Sequence, residues 1–172
     1  MSTPIVPRPP TQLILTTPEH LLAFGFGAGL APFAPGTVGT LVGVLLFLPL
    51  SWLPPPAYAA TVVGLFMLGC WICGESARLL GVHDYGGIVF DEIVGYLIAA
   101  APLLFFPALT AAVWAVALIG AFALFRLLDI LKPWPIRILD RAVRGGLGIM
   151  LDDALAGLFA AVLLWAVLRL FG

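Results

Sequence analysis

Charge is what this sequence has least of. Asp, Glu, Lys and Arg make up 10% of its 172 residues, whereas 62% are hydrophobic and the mean hydropathy is +1.14. A soluble domain carries about 25% charged residues, so a soluble fold of this size is excluded and one small integral membrane domain is expected. No long basic run occurs and the net charge is -1, which leaves nothing to suggest a nucleic-acid partner.

Cysteine is nearly absent too. Cys70 and Cys73 form a C-x-x-C pair inside the apolar run TVVGLFMLGCWICG, with no second pair to complete a zinc site. A packing role is expected for both. Residues 1–19 hold Arg8 and several prolines but lack the layout of a cleavable signal peptide, and read as a tail ahead of a membrane domain at 20–172. No internal repeat of the kind found in carriers is detectable.

What is present is long apolar runs separated by proline, glycine and short polar stretches. The expected fold is all-α: a polytopic membrane bundle of about five helices, each near the ~17–25 residues that cross a bilayer. They fall at 36–53, 57–74, 88–106, from Pro107 to about Leu128, and 151–171. Ahead of them, residues 20–40 are uncharged apart from His20 and broken by Gly and Pro, as in a re-entrant segment. Gly25, Gly27 and Gly29 resemble a dinucleotide loop only superficially, since no strand precedes them. Gly36 and Thr37, with Gly39, could cradle an anion through backbone amides. Gly39-x-x-x-Gly43 equally suits close helix packing, and both readings stand.

The few charges are not scattered. Residues 126–153 hold Arg126, Lys132, Arg137, Arg141 and Arg144 together with Asp129, Asp140, Asp152 and Asp153. With alternating spans, every acidic residue and every basic residue except Arg169 falls on one side of the membrane, and the Lys/Arg excess in the connections makes that side cytoplasmic. Any chemistry is therefore expected there, within reach of lipid headgroups.

Three carboxylate groups reach that face: Asp84 with Asp91 and Glu92, Asp129 with Asp140, and Asp152 with Asp153. Burying them is costly unless cations or a metal offset the charge, and a set of oxygens suits a hard ion such as magnesium. Each acid near a helix start could instead be a cap. Asp129 is expected at a helix C-terminus, where the dipole disfavours an anion, so it needs a partner: Arg126, Lys132 or a metal. Asp152 and Asp153 point about 100° apart and need not share one task. Lys132, Arg137 and Arg141 suit phosphate oxygens, although anchoring against anionic lipid would explain basic residues there as well. Trp134 reads as an interface anchor. His83 could donate a proton to a leaving alkoxide or be structural.

Three blocks, GFGAGLAPFAPGTVGTL at 25–41, HDYGGIVFDEIVGY at 83–96 and FRLLDILKPWPIRILDRAVRGGLGIMLDDALAG at 125–157, resemble the signature blocks of the bacterial phosphatidylglycerophosphatase A family. The resemblance implies a magnesium-dependent lipid phosphatase of the inner membrane in phospholipid biosynthesis. It would act on phosphatidylglycerophosphate from the cytoplasmic side. It also implies metal or catalytic roles for Asp84, Asp91, Glu92, Asp129, Asp152 and Asp153, with Lys132, Arg137 and Arg141 near the phosphate. No D-x-D motif occurs, and Cys73 to Arg78 is one residue short of C-x5-R, so attack by water is expected rather than a covalent intermediate. An oligomer is not predicted. Transport and a non-catalytic scaffold are the competing classes; one-sided charge argues against the first, and a scaffold would not need so many converging acids.

Overall fold

A computed structural model of the protein describes residues 9–82 and 85–171, with the backbone alone for Asp140, Arg141 and Phe171. Among the described residues all regular structure is helical. Two short helices, α1 (Thr11–Thr16) and α2 (Pro18–Ala23), lead through a 3-10 segment at Gly25–Leu30 into α3 (Pro35–Leu50). Then come α4 (Pro55–Leu80), α5 (Phe90–Ala100) with a 3-10 extension at Ala101–Phe105, α6 (Ala111–Leu131), α7 (Ile136–Ala142) and α8 (Gly145–Phe171).

Proline sets most of the boundaries. Pro35 and Pro55 open α3 and α4 at positions whose N–H has no partner in any helix. Pro102 has no N–H to give to Ile98, so α5 stops at Ala100 and tightens into the 3-10 turn. Thr110 caps α6 by accepting from the Val113 amide at 3.3 Å. Gly81, left-handed at φ 69°, closes α4.

α5 is the axis. It packs against α3, α4, α6 and α8, and nearly all of its side chains are buried. Close approach depends on paired glycines. A Cβ on Gly157 would overlap the Gly95 carbonyl between α8 and α5, and one on Gly146 would overlap the Cys70 carbonyl between α8 and α4. On α3, Gly39 and Gly43 lie against Val89, Ile93 and Tyr96, so that spacing serves helix packing. These contacts run α3 and α8 parallel to α5, with α4 and α6 antiparallel.

α4, α6 and α8 are long and apolar enough to cross a membrane. At 1.5 Å per residue they span roughly 30–40 Å. Their outward faces are apolar, with Val63, Met67, Trp71, Val116, Ile119, Val162 and Val167 all exposed. α3 is apolar but shorter.

Several helix bounds differ from those read off the sequence. α4 runs on to Leu80, so Glu75 and Arg78 are not in a loop but form an i,i+3 ion pair on a helix. α8 starts at Gly145 rather than near Leu151, which puts Asp152 and Asp153 two turns inside the helix and removes a capping role for them. The 126–153 stretch also contains α7. The reason is common to all three: helical backbone continues past the end of an apolar run whenever nearby elements or solvent accept its polar side chains.

Candidate metal and phosphate site

Three helices deliver acidic or basic side chains to one end of the bundle, and a fourth delivers a glycine. Asp91 and Glu92 stand in the first turn of α5, Arg126 and Asp129 in the last turns of α6, Asp152 and Asp153 in α8, and Gly36 at the start of α3. Ligand atoms of Asp91, Glu92 and Asp153 all lie within 4.8 Å of one another. Asp153 is 3% exposed. Asp129 adjoins them, its charge acting on both Glu92 and Asp153.

These carboxylates are under-satisfied. Asp91 Oδ1, Glu92 Oε2 and Asp153 Oδ2 are buried and have no hydrogen-bond partner in the structure. Buried polar atoms are normally paired, because desolvation without compensation costs a few kcal/mol. Three converging carboxylates, each with an orphaned oxygen, are what a hard divalent cation satisfies, so the donor set fits magnesium.

Arg126 stands on the other flank. Its Nη1 lies 2.6 Å from Asp129 Oδ2 and 3.7 Å from Glu92 Oε1. Nη1 and Nε are nevertheless buried without a hydrogen-bond acceptor, so these are charge contacts that lack hydrogen-bond alignment. Gly36 closes this side: a Cβ there would collide with Glu92 Oε1 and come within 3.1 Å of Arg126 Nη1. Asp129 thus has the Arg126 partner that its place at a helix end demands. Lys132 instead contacts Asp152.

The remaining sequence candidates divide as follows. His83 and Asp84 lie outside the described residues, as does the side chain of Arg141. Thr37 sits in the first turn of α3, its amide bonded to the Ala34 carbonyl at 2.9 Å. Arg137 is exposed and, with Lys132, Pro133, Trp134 and Ile138, lines a cleft of about 640 Å³ beside the carboxylates' end of α6. A second cavity, of about 330 Å³, lies among Phe24, Gly29, Pro32, Pro35, Tyr85 and Gly87. Cys70 and Cys73 are not joined in a disulfide, and Cys73 packs with its sulfur 3.9 Å from that of Met150.

Arg126 was visible in the sequence only as a counter-ion for Asp129. Its second contact, to Glu92 on α5, is 34 positions away in the chain and depends on helix packing. The available signal was that Arg126 and Asp129 are the only charges in α6.

At the carboxylate end of the bundle the loop into α5 is held by the N-terminal helices. Val89 N–H donates to the Ala23 carbonyl at 2.8 Å, and Phe24 stacks on Tyr85 with centroids 5.8 Å apart. α2 is tied to α4 by a 2.8 Å hydrogen bond between His20 Nδ1 and Ser76 Oγ, both buried.

Helices long enough to span a membrane, an apolar outer surface, and a buried carboxylate centre with basic residues beside it at one end define the class: a helical membrane protein built around a polar centre. The Phosphatidylglycerophosphatase A family model matches residues 21–168. The chain belongs to that family. It is 44% identical over 161 residues to Phosphatidylglycerophosphatase A of Haemophilus influenzae, covering 93% of this chain and 94% of the relative. It is 41% identical over 157 residues to Phosphatidylglycerophosphatase A of Escherichia coli, covering 91% and 87%. A Bacteroides thetaiotaomicron protein bearing the provisional name phosphatidylinositol-3-phosphatase is 39% identical over 149 residues, covering 84% and 89%. No solved structure matches the chain significantly.

Proposed function

We propose that this protein hydrolyses the terminal phosphate monoester of phosphatidylglycerophosphate, giving phosphatidylglycerol and inorganic phosphate, with magnesium held by Asp91, Glu92 and Asp153. The observation that carries the metal reading is the trio of carboxylates brought together from α5 and α8, each with a buried oxygen that has no partner. Family membership carries the substrate class, through relatives named for that activity.

Magnesium, when bound, supplies positive charge that offsets the phosphate's and polarises the phosphoryl group. The chain's own residues do the rest. Lys132 and Arg137, on the cleft beside the carboxylates, receive phosphate oxygens, and Arg141 is assigned the same task. Water attacks phosphorus opposite the glycerol oxygen, the P–O bond to glycerol breaks, and the departing oxygen takes up a proton. Asp84 is assigned the role of a further acid and His83 that of the proton donor. Burial of the carboxylates keeps bulk water from screening the charges that steer the reaction.

The site faces the cytoplasm across the inner membrane, and the chain crosses five times, through α3, α4, α5 with its 3-10 extension, α6 and α8. One-sided charge and the Lys/Arg excess support that orientation. Exposed Trp52 and Trp134 at opposite ends of the bundle suit the two interfaces.

Purified protein in detergent should release phosphate from phosphatidylglycerophosphate with magnesium and not with a chelator. Undiminished release in the chelator removes the metal assignment. Cysteines placed at Ala57 and Ala142, after Cys70 and Cys73 are replaced, report sidedness; labelling of Ala142→Cys from the periplasm by an impermeant reagent reverses the orientation.

A further inference from the structure

We propose that the site holds one divalent ion rather than two, because the Arg126 guanidinium occupies the place a second ion would take. This rests on the metal reading given above and extends it to the number of ions.

Two-metal phosphoryl-transfer centres place their ions ~3.5–4 Å apart with carboxylates serving both. Glu92 has the placement of such a shared ligand. It contributes one carboxylate oxygen to the group with Asp91 and Asp153; its Oε2 is buried without a partner, whereas its Oε1 faces Arg126 at 3.7 Å. Asp129, which would be the second ion's own ligand, is taken by the same guanidinium nitrogen at 2.6 Å. So the acids on this flank already surround a cation, a covalently attached one.

Space points the same way. Magnesium gives up its water reluctantly and usually keeps several bound molecules. On the Arg126 flank a Cβ on Gly36 would collide with Glu92 Oε1 and stand 3.1 Å from Nη1, so the α3 backbone crowds the space a hydrated ion would need. The Asp91–Glu92–Asp153 flank has its unpartnered oxygens instead.

A guanidinium differs from a second metal in carrying a single charge and directed donors. Arg126 Nε and Nη1 lack acceptors. A phosphate oxygen displacing local packing would find an unused donor there, and Arg126 would then do for the substrate what the absent second ion does elsewhere.

Manganese is the probe. Full-length protein in detergent is titrated with Mn2+ by equilibrium dialysis and by electron paramagnetic resonance, where two ions this close give a spin-coupled signal and a single ion does not. Wild type should saturate at about one ion per chain, uncoupled. Arg126→Lys, which keeps the charge, should do the same. Arg126→Gln, in which Asp129 and the second oxygen of Glu92 are released, should take up a second, coupled ion at high Mn2+, and adding Asp129→Asn should remove it. A coupled pair in wild type overturns the inference and leaves the metal reading standing. An Arg126→Gln protein that stays at one ion with unchanged affinity also overturns it. No Mn2+ bound by wild type overturns both. If Arg126→Gln does not fold, the stoichiometry and coupling in wild type and Arg126→Lys still decide.

Discussion

The two ends of the bundle handle buried polar groups in opposite ways. At the end away from the carboxylates the Tyr58 hydroxyl donates to the Leu97 carbonyl at 2.6 Å, and Phe47 packs against Tyr58, Tyr96 and Trp114. Arg169 there lies 5.3 Å from the Trp165 ring centroid and 5.7 Å from that of Phe106. Those polar groups have partners. At the other end three carboxylates and a guanidinium are brought together with buried atoms that have none. Ordinary packing seldom leaves such groups unpaired, and that contrast is what the proposed metal site rests on.

The sharpest way to break this contrast is to remove charge from the unsatisfied end. Asp91→Asn and Asp153→Asn should each lower phosphate release by at least about 100-fold, the scale on which transition-state electrostatics operate. In metal-free buffer the same proteins should melt no lower than wild type, since a buried unpaired charge has been removed. Full activity in both variants shows that the site is elsewhere.

Next in size is the packing that holds the ends in register. Gly157→Leu would drive side-chain atoms into the Gly95 carbonyl and part α8 from α5, costing at least about 2–3 kcal/mol and separating Asp153 from Asp91. Thermal unfolding in detergent and activity should fall together. Gly64→Ala and Gly120→Ala meet nothing within 4 Å and should be neutral or up to about 1 kcal/mol stabilising.

Tyr58→Phe sharpens the comparison from the satisfied end. Losing the bond to Leu97 should cost about 1 kcal/mol of stability, read as a lower melting temperature, with turnover unchanged.

The smallest effect belongs to His20, whose pKa burial pushes below its ordinary value against the opposing pull of Glu19. The unfolded chain therefore binds this proton more readily than the folded one. The stability that neutral His20 contributes is present above the unfolded pKa near 6.5 and is lost progressively as pH falls below it. Melting curves at pH 7.5 and 5.5 should differ more for wild type than for His20→Gln.

How much of this could be read without coordinates depends on the residue. Asp129 could be paired from its position alone, because a carboxylate at a helix C-terminus demands a cation and Arg126 is one turn away. The meeting of Asp91, Glu92 and Asp153 was foreseeable as a direction, since each lies at the same end of an alternating set of apolar runs. Their being partners while Asp152 turns to Lys132 was not, because neighbouring helical positions differ by about 100° and only packing decides which one faces inward. α8 was read as starting too late, since hydropathy falls before the helix does. The Gly39-x-x-x-Gly43 spacing allowed two roles, and contact with α5 selected packing.

What the sequence by itself determined is the medium and the polarity of the molecule: an excess of apolar side chains points to lipid, and the clustering of almost all charge between apolar runs gives one chemically equipped end. Tertiary structure alone decided which acids meet and which cation stands among them. Those contacts join α5, α6 and α8 across distances of a few ångströms, with glycines letting α8 approach α5 and Phe125 of α6 seated against Gly95, and no local pattern along a chain encodes the rotation of one helix against another.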